Sequence, residues 1–156
     1  MLKQLSRLSL EAEGRYASTK ELQFIKSYRS SLELRLSTYQ KIRNEEMAVV
    51  NLVIQRSHLK NPQLFQLDSE DFKPRCQRDI QLVLKASALA MLTDDLERLR
   101  NNLLLWQKTV VKALDHQHYI QVVYKVLPEV VSEILTPEET KLILPALKLS
   151  FNILAC

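Results

Sequence analysis

A chain of 156 residues with a single glycine, Gly14, has almost nowhere to put the positive-φ turns that β-hairpins need. Leu, Ala, Glu, Lys, Arg and Gln dominate what remains, and all of them are strong helix formers. The five prolines then act as punctuation rather than as loop material. These residues predict an all-α chain without β-hairpins. The length suits one domain, large enough to bury a core without disulfides.

The apolar spacing divides the chain into rods. Leu2, Leu5, Leu8 and Leu10 form a stripe on a short helix over Leu2 to Ala12 that has no partner within so short a segment. Ser18-Thr19-Lys20-Glu21 reads as a capping box, and Leu22, Ile25, Leu32, Leu36, Tyr39 and Ile42 continue at helical steps, so a long helix is predicted from Thr19 to Arg43. Another covers Glu45 to Leu59 and stops at Lys60-Asn61-Pro62. Gln63 to Lys73 reads as an irregular loop with Leu64, Phe65, Leu67 and Phe72 turned inward. Pro74 opens the next helix, which runs to Met91 with Cys76 near its start. There the helix dipole is expected to lower the thiol's pKa.

Asp94 or Asp95 is expected to cap a helix through Trp106 to Leu114, and Asp115 to open one reaching Leu135. Thr136-Pro137-Glu138-Glu139 announces the last, with proline at the first position and glutamate at the third. Pro128 and Pro145 fall inside these helices and are expected to bend them, because each lacks a backbone donor. About seven helices with short connections imply a globin-like packing.

Composition excludes several functions. The apolar runs Met47 to Ile54 and Ala86 to Met91 fall far short of the roughly 20 residues of a membrane helix. The net charge of +4 comes from interleaved acids and bases, with no polybasic tract, so no nucleic-acid partner is expected. A single glycine leaves no phosphate-binding loop, and no zinc spacing or nucleophilic triad is present, so the protein is not expected to be an enzyme. Cys76 and Cys156 are far apart, and with no apparent signal peptide a reducing cytoplasmic setting is expected. Cys156 reads as incidental.

Chemistry concentrates in Lys73-Pro74-Arg75-Cys76-Gln77-Arg78-Asp79. Residues three apart share a helix face, so Cys76 and Asp79 can hold one ligand between a covalent anchor and a carboxylate. Lys73, Arg75 and Arg78 are placed to meet its acidic groups. An open-chain tetrapyrrole suits all three tasks, offering a thiol-reactive side group, pyrrole N–H donors and propionates.

Cys76-Gln77-Arg78-Asp79 resembles the Cys-x-Arg-Asp pattern of the phycobiliproteins, the bilin-carrying antenna subunits of cyanobacteria and red algae. Glu11-Ala12-Glu13-Gly14-Arg15-Tyr16-Ala17-Ser18 resembles that family's entry to its first long helix. The resemblance spans essentially the whole chain. It implies a globin-like phycobiliprotein fold, with residues 1–17 as an N-terminal helical arm for subunit association and 18–156 as the bilin-binding domain. It implies a bilin, phycocyanobilin as first choice, held by a Cys76 thioether placed there by a bilin lyase. Asp79 would meet the pyrrole nitrogens, Arg78, Lys73 and Arg75 the propionates, and Tyr119 would close the pocket.

The same resemblance implies a homo- or hetero-oligomer with a related subunit, with the arm on the neighbour and Glu13, Arg15 and Tyr16 at the contact. The alternative is an arm folded back on its own domain. Direct membrane insertion is not implied; the place would be the cytoplasm or the stromal or cytoplasmic face of the thylakoid.

Two departures imply a divergent paralogue, allophycocyanin-like or phycocyanin-α-like, and Lys73 and Arg75 stand where α-type subunits of the family often carry basic residues. Leu82-Val83 stands where the family has a tyrosine pair, and the loop before Cys76 has no glycine-rich stretch. A light-harvesting role through energy transfer is the first expectation. A scaffold or regulatory protein with weak or no pigment is the second, and a haem-binding sensor globin using His116 or His118 the third.

Overall fold

The computed structural model describes residues 1–65 and 72–155, and within these every regular element is helical. Helix α1 is Leu2–Glu11, α2 Gln23–Asn44, α3 Glu46–Lys60 and α4 Phe72–Thr93. They are followed by α5 (Leu96–Leu99), a π turn (Arg100–Leu104), α6 (Leu105–Ala113), α7 (Gln117–Ile134) and α8 (Pro137–Leu154). Because α5, the π turn and α6 follow one another without a break, the described residues form seven rods, in keeping with the expected number.

Most boundaries follow from local chemistry. Glu45 alone separates α2 from α3: its N–H still donates to Lys41 and its carbonyl still accepts from Val49, so the chain turns around one residue. Asp95 caps α5 through Oδ1, which accepts from the Arg98 N–H at 2.9 Å. Thr136 and Glu139 close a reciprocal capping box at α8. Both α7 and α8 continue through their internal prolines, Pro128 and Pro145.

Four expectations need correction. Ser18 and Glu21 do bond reciprocally, at 2.7 and 3.3 Å, but three-residue bonds follow, so regular helix starts at Gln23 and not Thr19. Helix α4 starts at Phe72, one residue before Lys73, and Pro62–Phe65 is a 3-10 turn. Leu67 and Cys156 lie outside the described residues. Asp115 does not open α7: it ends α6 at φ +54, and His116 takes the N-cap position.

Helix α4 runs through the middle, packed on α2, α3 and α8, while α7 packs on α3 and α8. The core is formed by Ile80, Val83, Leu84 and Ala88 of α4, Val123, Val126, Leu127 and Val130 of α7, and Ile143, Ala146 and Leu147 of α8. Small side chains bring α4 close to α8, where the Ser87 and Ser150 hydroxyls meet at 3.3 Å.

The buried edge of α2 is not the stripe that hydropathy alone picks out. Tyr28, Ser31, Arg35, Thr38 and Ile42 face inward or lie half-buried, whereas Leu32 and Leu36, one residue on, are exposed. The polar members serve the far end of α4. Tyr28 donates to the Leu92 carbonyl at 2.8 Å, and Arg35 donates to the Met91 carbonyl and to Asp94 Oδ1. These donors satisfy carbonyls that a helix C-terminus leaves open.

Candidate functional site

The opposite end of α4 carries the sequence-predicted cluster. Lys73, Arg75, Cys76, Arg78 and Asp79 all fall within its first turns, so the structure brings the motif together on one helix. The face then sorts it. Cys76 is 3 % exposed, while Lys73, Arg75, Arg78 and Asp79 reach solvent. Arg78 lies back along its own helix, with Nε 3.4 Å from the Pro74 carbonyl.

A set of rings covers Cys76. Tyr119, in the first turn of α7, donates from its hydroxyl to the Cys76 carbonyl at 3.4 Å and also lies at the thiol. Its ring meets Phe65 and Phe72 edge-on, at centroid distances of 6.0 and 5.6 Å, and Phe72 meets His116 at 5.0 Å. Edge-to-face pairs at these distances are favourable beyond the area they bury.

Electrostatics follow from this cover. Burial pushes the Cys76 thiol up to about 11, with smaller opposing help from Tyr119. The expected lowering by the helix dipole is therefore overturned, because Cys76 sits one turn inside α4 and loss of water penalises the thiolate more than the dipole favours it. Asp79 is also raised: crowding by neighbouring atoms outweighs the pull of His116 and Arg78. Tyr119 is raised well above the usual phenol value by burial.

Two clefts flank the rings. One, of about 450 Å³, lies between α3 and α4 and is lined by His58, Phe65, Lys73 and Gln77 among others. The second, of about 260 Å³, opens at the α7 corner beside Asn61, Leu64, Asp115, His116, His118 and Tyr119. Tyr119, expected as a pocket wall, is placed between the Cys76 turn and this second cleft. His118 is exposed and bonded to Asn61 at 3.0 Å, while the His116 ring packs on Phe72. No group of side chains suited to a metal ion occurs among the described residues.

The arm residues stand elsewhere. Arg15 pairs with Glu21 at 2.7 Å, whose carboxyl it holds at about 2, and Glu13 and Tyr16 are exposed, Tyr16 completely. Helix α1 touches its own domain through Lys3 and Glu97, 3.2 Å apart, and through the Met1 nitrogen on the Thr93 carbonyl.

The Asn61 bond to His118 was not legible in sequence, since 57 residues separate the partners and neither belongs to a motif. A helix-ending asparagine before proline was its one visible sign. No helix among the described residues is long and apolar enough to cross a membrane.

No curated protein matches the chain. The family described as phycobilisome protein matches residues 8–154, from inside α1 to the last residue of α8, and so takes in the Cys76 turn, the rings over it and the whole helical core. The chain therefore belongs to the phycobilisome protein family.

Proposed function

We propose that this phycobilisome-family protein takes part in light harvesting by carrying an open-chain tetrapyrrole, phycocyanobilin in the first instance, as a thioether on Cys76, and by passing excitation to neighbouring subunits. One observation carries the reading: a thiol, a carboxylate one turn later and a lysine occupy the start of α4, where Lys73 lines a cleft against α3. These side chains suit a bilin in kind. Asp79 accepts hydrogen bonds, Lys73 at the larger cleft and Arg78 and Arg75 on the exposed side meet carboxylates, and the rings exclude water. When bound, the bilin supplies the visible absorption; the protein's part is to hold it extended, since a flexible pigment relaxes by twisting. No catalysis is proposed.

Association with a second copy or a related subunit belongs to the same reading. Leu32 and Leu36 on α2, Leu82 and Leu89 on α4, and Leu5, Leu10 and Tyr16 of the arm region are exposed. Such apolar exposure suits contact with another chain. Action in the cytoplasm, with a bilin lyase, is part of the proposal.

A second reading has its own support. Burial of Cys76, with its thiol held protonated, and the absence of the tyrosine pair at Leu82-Val83 favour a phycobilisome scaffold with little or no pigment. Co-expression with a bilin pathway and at least two lyases, read by zinc-stained denaturing gel and absorption spectrum, separates the two. A fluorescent band that is lost in Cys76→Ala, and kept in Cys156→Ala, is expected; Asp79→Asn should keep the band and shift or broaden the red absorption. A colourless wild type with every lyase would leave the scaffold reading standing.

A further inference from the structure

The ring cover over Cys76 hangs on the first turn of α7, and that turn is poorly secured from within. Its N-cap, His116, makes no side-chain capping bond, and the turn has no acidic residue to complement the helix dipole. An uncapped first turn frays readily, because its leading N–H groups have no internal partner. Tyr119 is on that turn, so fraying would carry its hydroxyl away from Cys76.

Besides the Tyr119 hydroxyl on the Cys76 carbonyl, a second side-chain bond, from Asn61, ties the turn to the rest of the domain. Asn61 closes α3, where its N–H donates to the Ser57 carbonyl, and its Oδ1 accepts from the Gln63 N–H at 3.2 Å. With the oxygen so engaged, the amide nitrogen Nδ2 faces His118 Nε2 at 3.0 Å, and the imidazole accepts. The same asparagine therefore sets the start of the Pro62–Phe65 turn, which carries Phe65, and holds His118, the neighbour of Tyr119. The segments that carry Phe65 and Tyr119 meet at this bond. It also stands between two clefts, of about 260 and 360 Å³, each lined by Asn61 and His118.

We propose that the Asn61–His118 hydrogen bond is a latch governing access to Cys76: while it is closed Tyr119 covers the thiol, and when it breaks the first turn of α7 lifts and exposes Cys76 along the α3–α7 seam. The proposal deepens the bilin reading, because attachment needs the thiol to be reached, but the latch exists whether or not a pigment is bound.

The test needs no pigment. In a Cys156→Ala background, the rate at which a small maleimide labels Cys76 in the folded protein is measured at one fixed pH for wild type, His118→Ala, Asn61→Ala and Thr136→Ala. Loss of the latch is expected to raise labelling about two- to tenfold in the first two variants, the factor that one ordinary hydrogen bond is worth. Thr136→Ala weakens a distant cap and controls for labelling through global unfolding. Unchanged rates in His118→Ala and Asn61→Ala, or an equal rise in Thr136→Ala, would overturn the latch. Fast labelling without pigment attachment in the co-expression experiment would instead sink the bilin reading and leave the latch intact.

Discussion

Asp94 and Asp115 occupy the left-handed position just beyond α4 and α6, with φ of +51° and +54°. In each case the N–H of the following residue reaches back five residues, Asp95 to Ala90 and His116 to Val111, and the aspartate's own N–H reaches back three. This is a Schellman ending, usually built on glycine, which has no Cβ to crowd the carbonyl. Asp94 has compensation in its ion pair with Arg35, 3.1 Å away, but no ion pair holds Asp115 among the described residues. Asp115→Gly should raise stability by about 0.5–1 kcal/mol in urea melts, relief of αL strain outweighing glycine's extra unfolded-state entropy. A loss of stability would mean the aspartate side chain matters at the corner. Sequence could name both residues as helix-boundary signals, yet for Asp115 it chose the wrong boundary: an aspartate favours a helix start and tolerates a left-handed stop, and only neighbouring backbone bonds decide which.

At the scale of an element, the two capping boxes show how far local chemistry reaches. Both were legible, and both form. At α8 the box is joined by Lys41 from α2, whose Nζ lies 2.7 Å from Glu139. That pair, with the Thr136 N–H, holds the Glu139 carboxyl below its ordinary value of 4.5. A depressed carboxyl stabilises the fold above its unfolded value and loses that contribution as pH falls through the folded value. The melting temperature should therefore drop as pH is lowered from 5 to 3, and drop less in Glu139→Gln; equal slopes would show that the pair contributes nothing. Thr136→Ala should cost about 1 kcal/mol at neutral pH. The π turn between α5 and α6 had no sequence signal, since Arg100–Leu104 carries neither proline nor glycine. The long-range bond from Lys41 was equally invisible.

For the whole molecule, stability rests on the α4, α7 and α8 core. Leu127 is almost wholly buried there and Leu59 is 73 % exposed, so the same substitution separates packing from composition. Leu127→Ala should cost about 2–5 kcal/mol, a large share of the roughly 5–15 kcal/mol that holds a domain folded, while Leu59→Ala should stay within about 0.5 kcal/mol. Comparable losses in chemical denaturation would contradict the placement of the core. The leucines of α2 make the same point in reverse. Leu32 and Leu36 belong to the apolar spacing that predicts the helix, yet they point outward, one step round from the edge that α4 covers.

By itself the sequence determined that this chain is helical, where most helices stop, and that Cys76, Arg78 and Asp79 share a single turn, because glycine scarcity, capping residues and a period of 3.6 act over a few neighbouring residues. Only the tertiary structure decided how Cys76 is solvated, which edge of α2 is covered, and that Asn61 meets His118. Desolvation is a property of what packs around a group, and at Cys76 burial in the folded core reverses the pKa shift that the helix alone would impose.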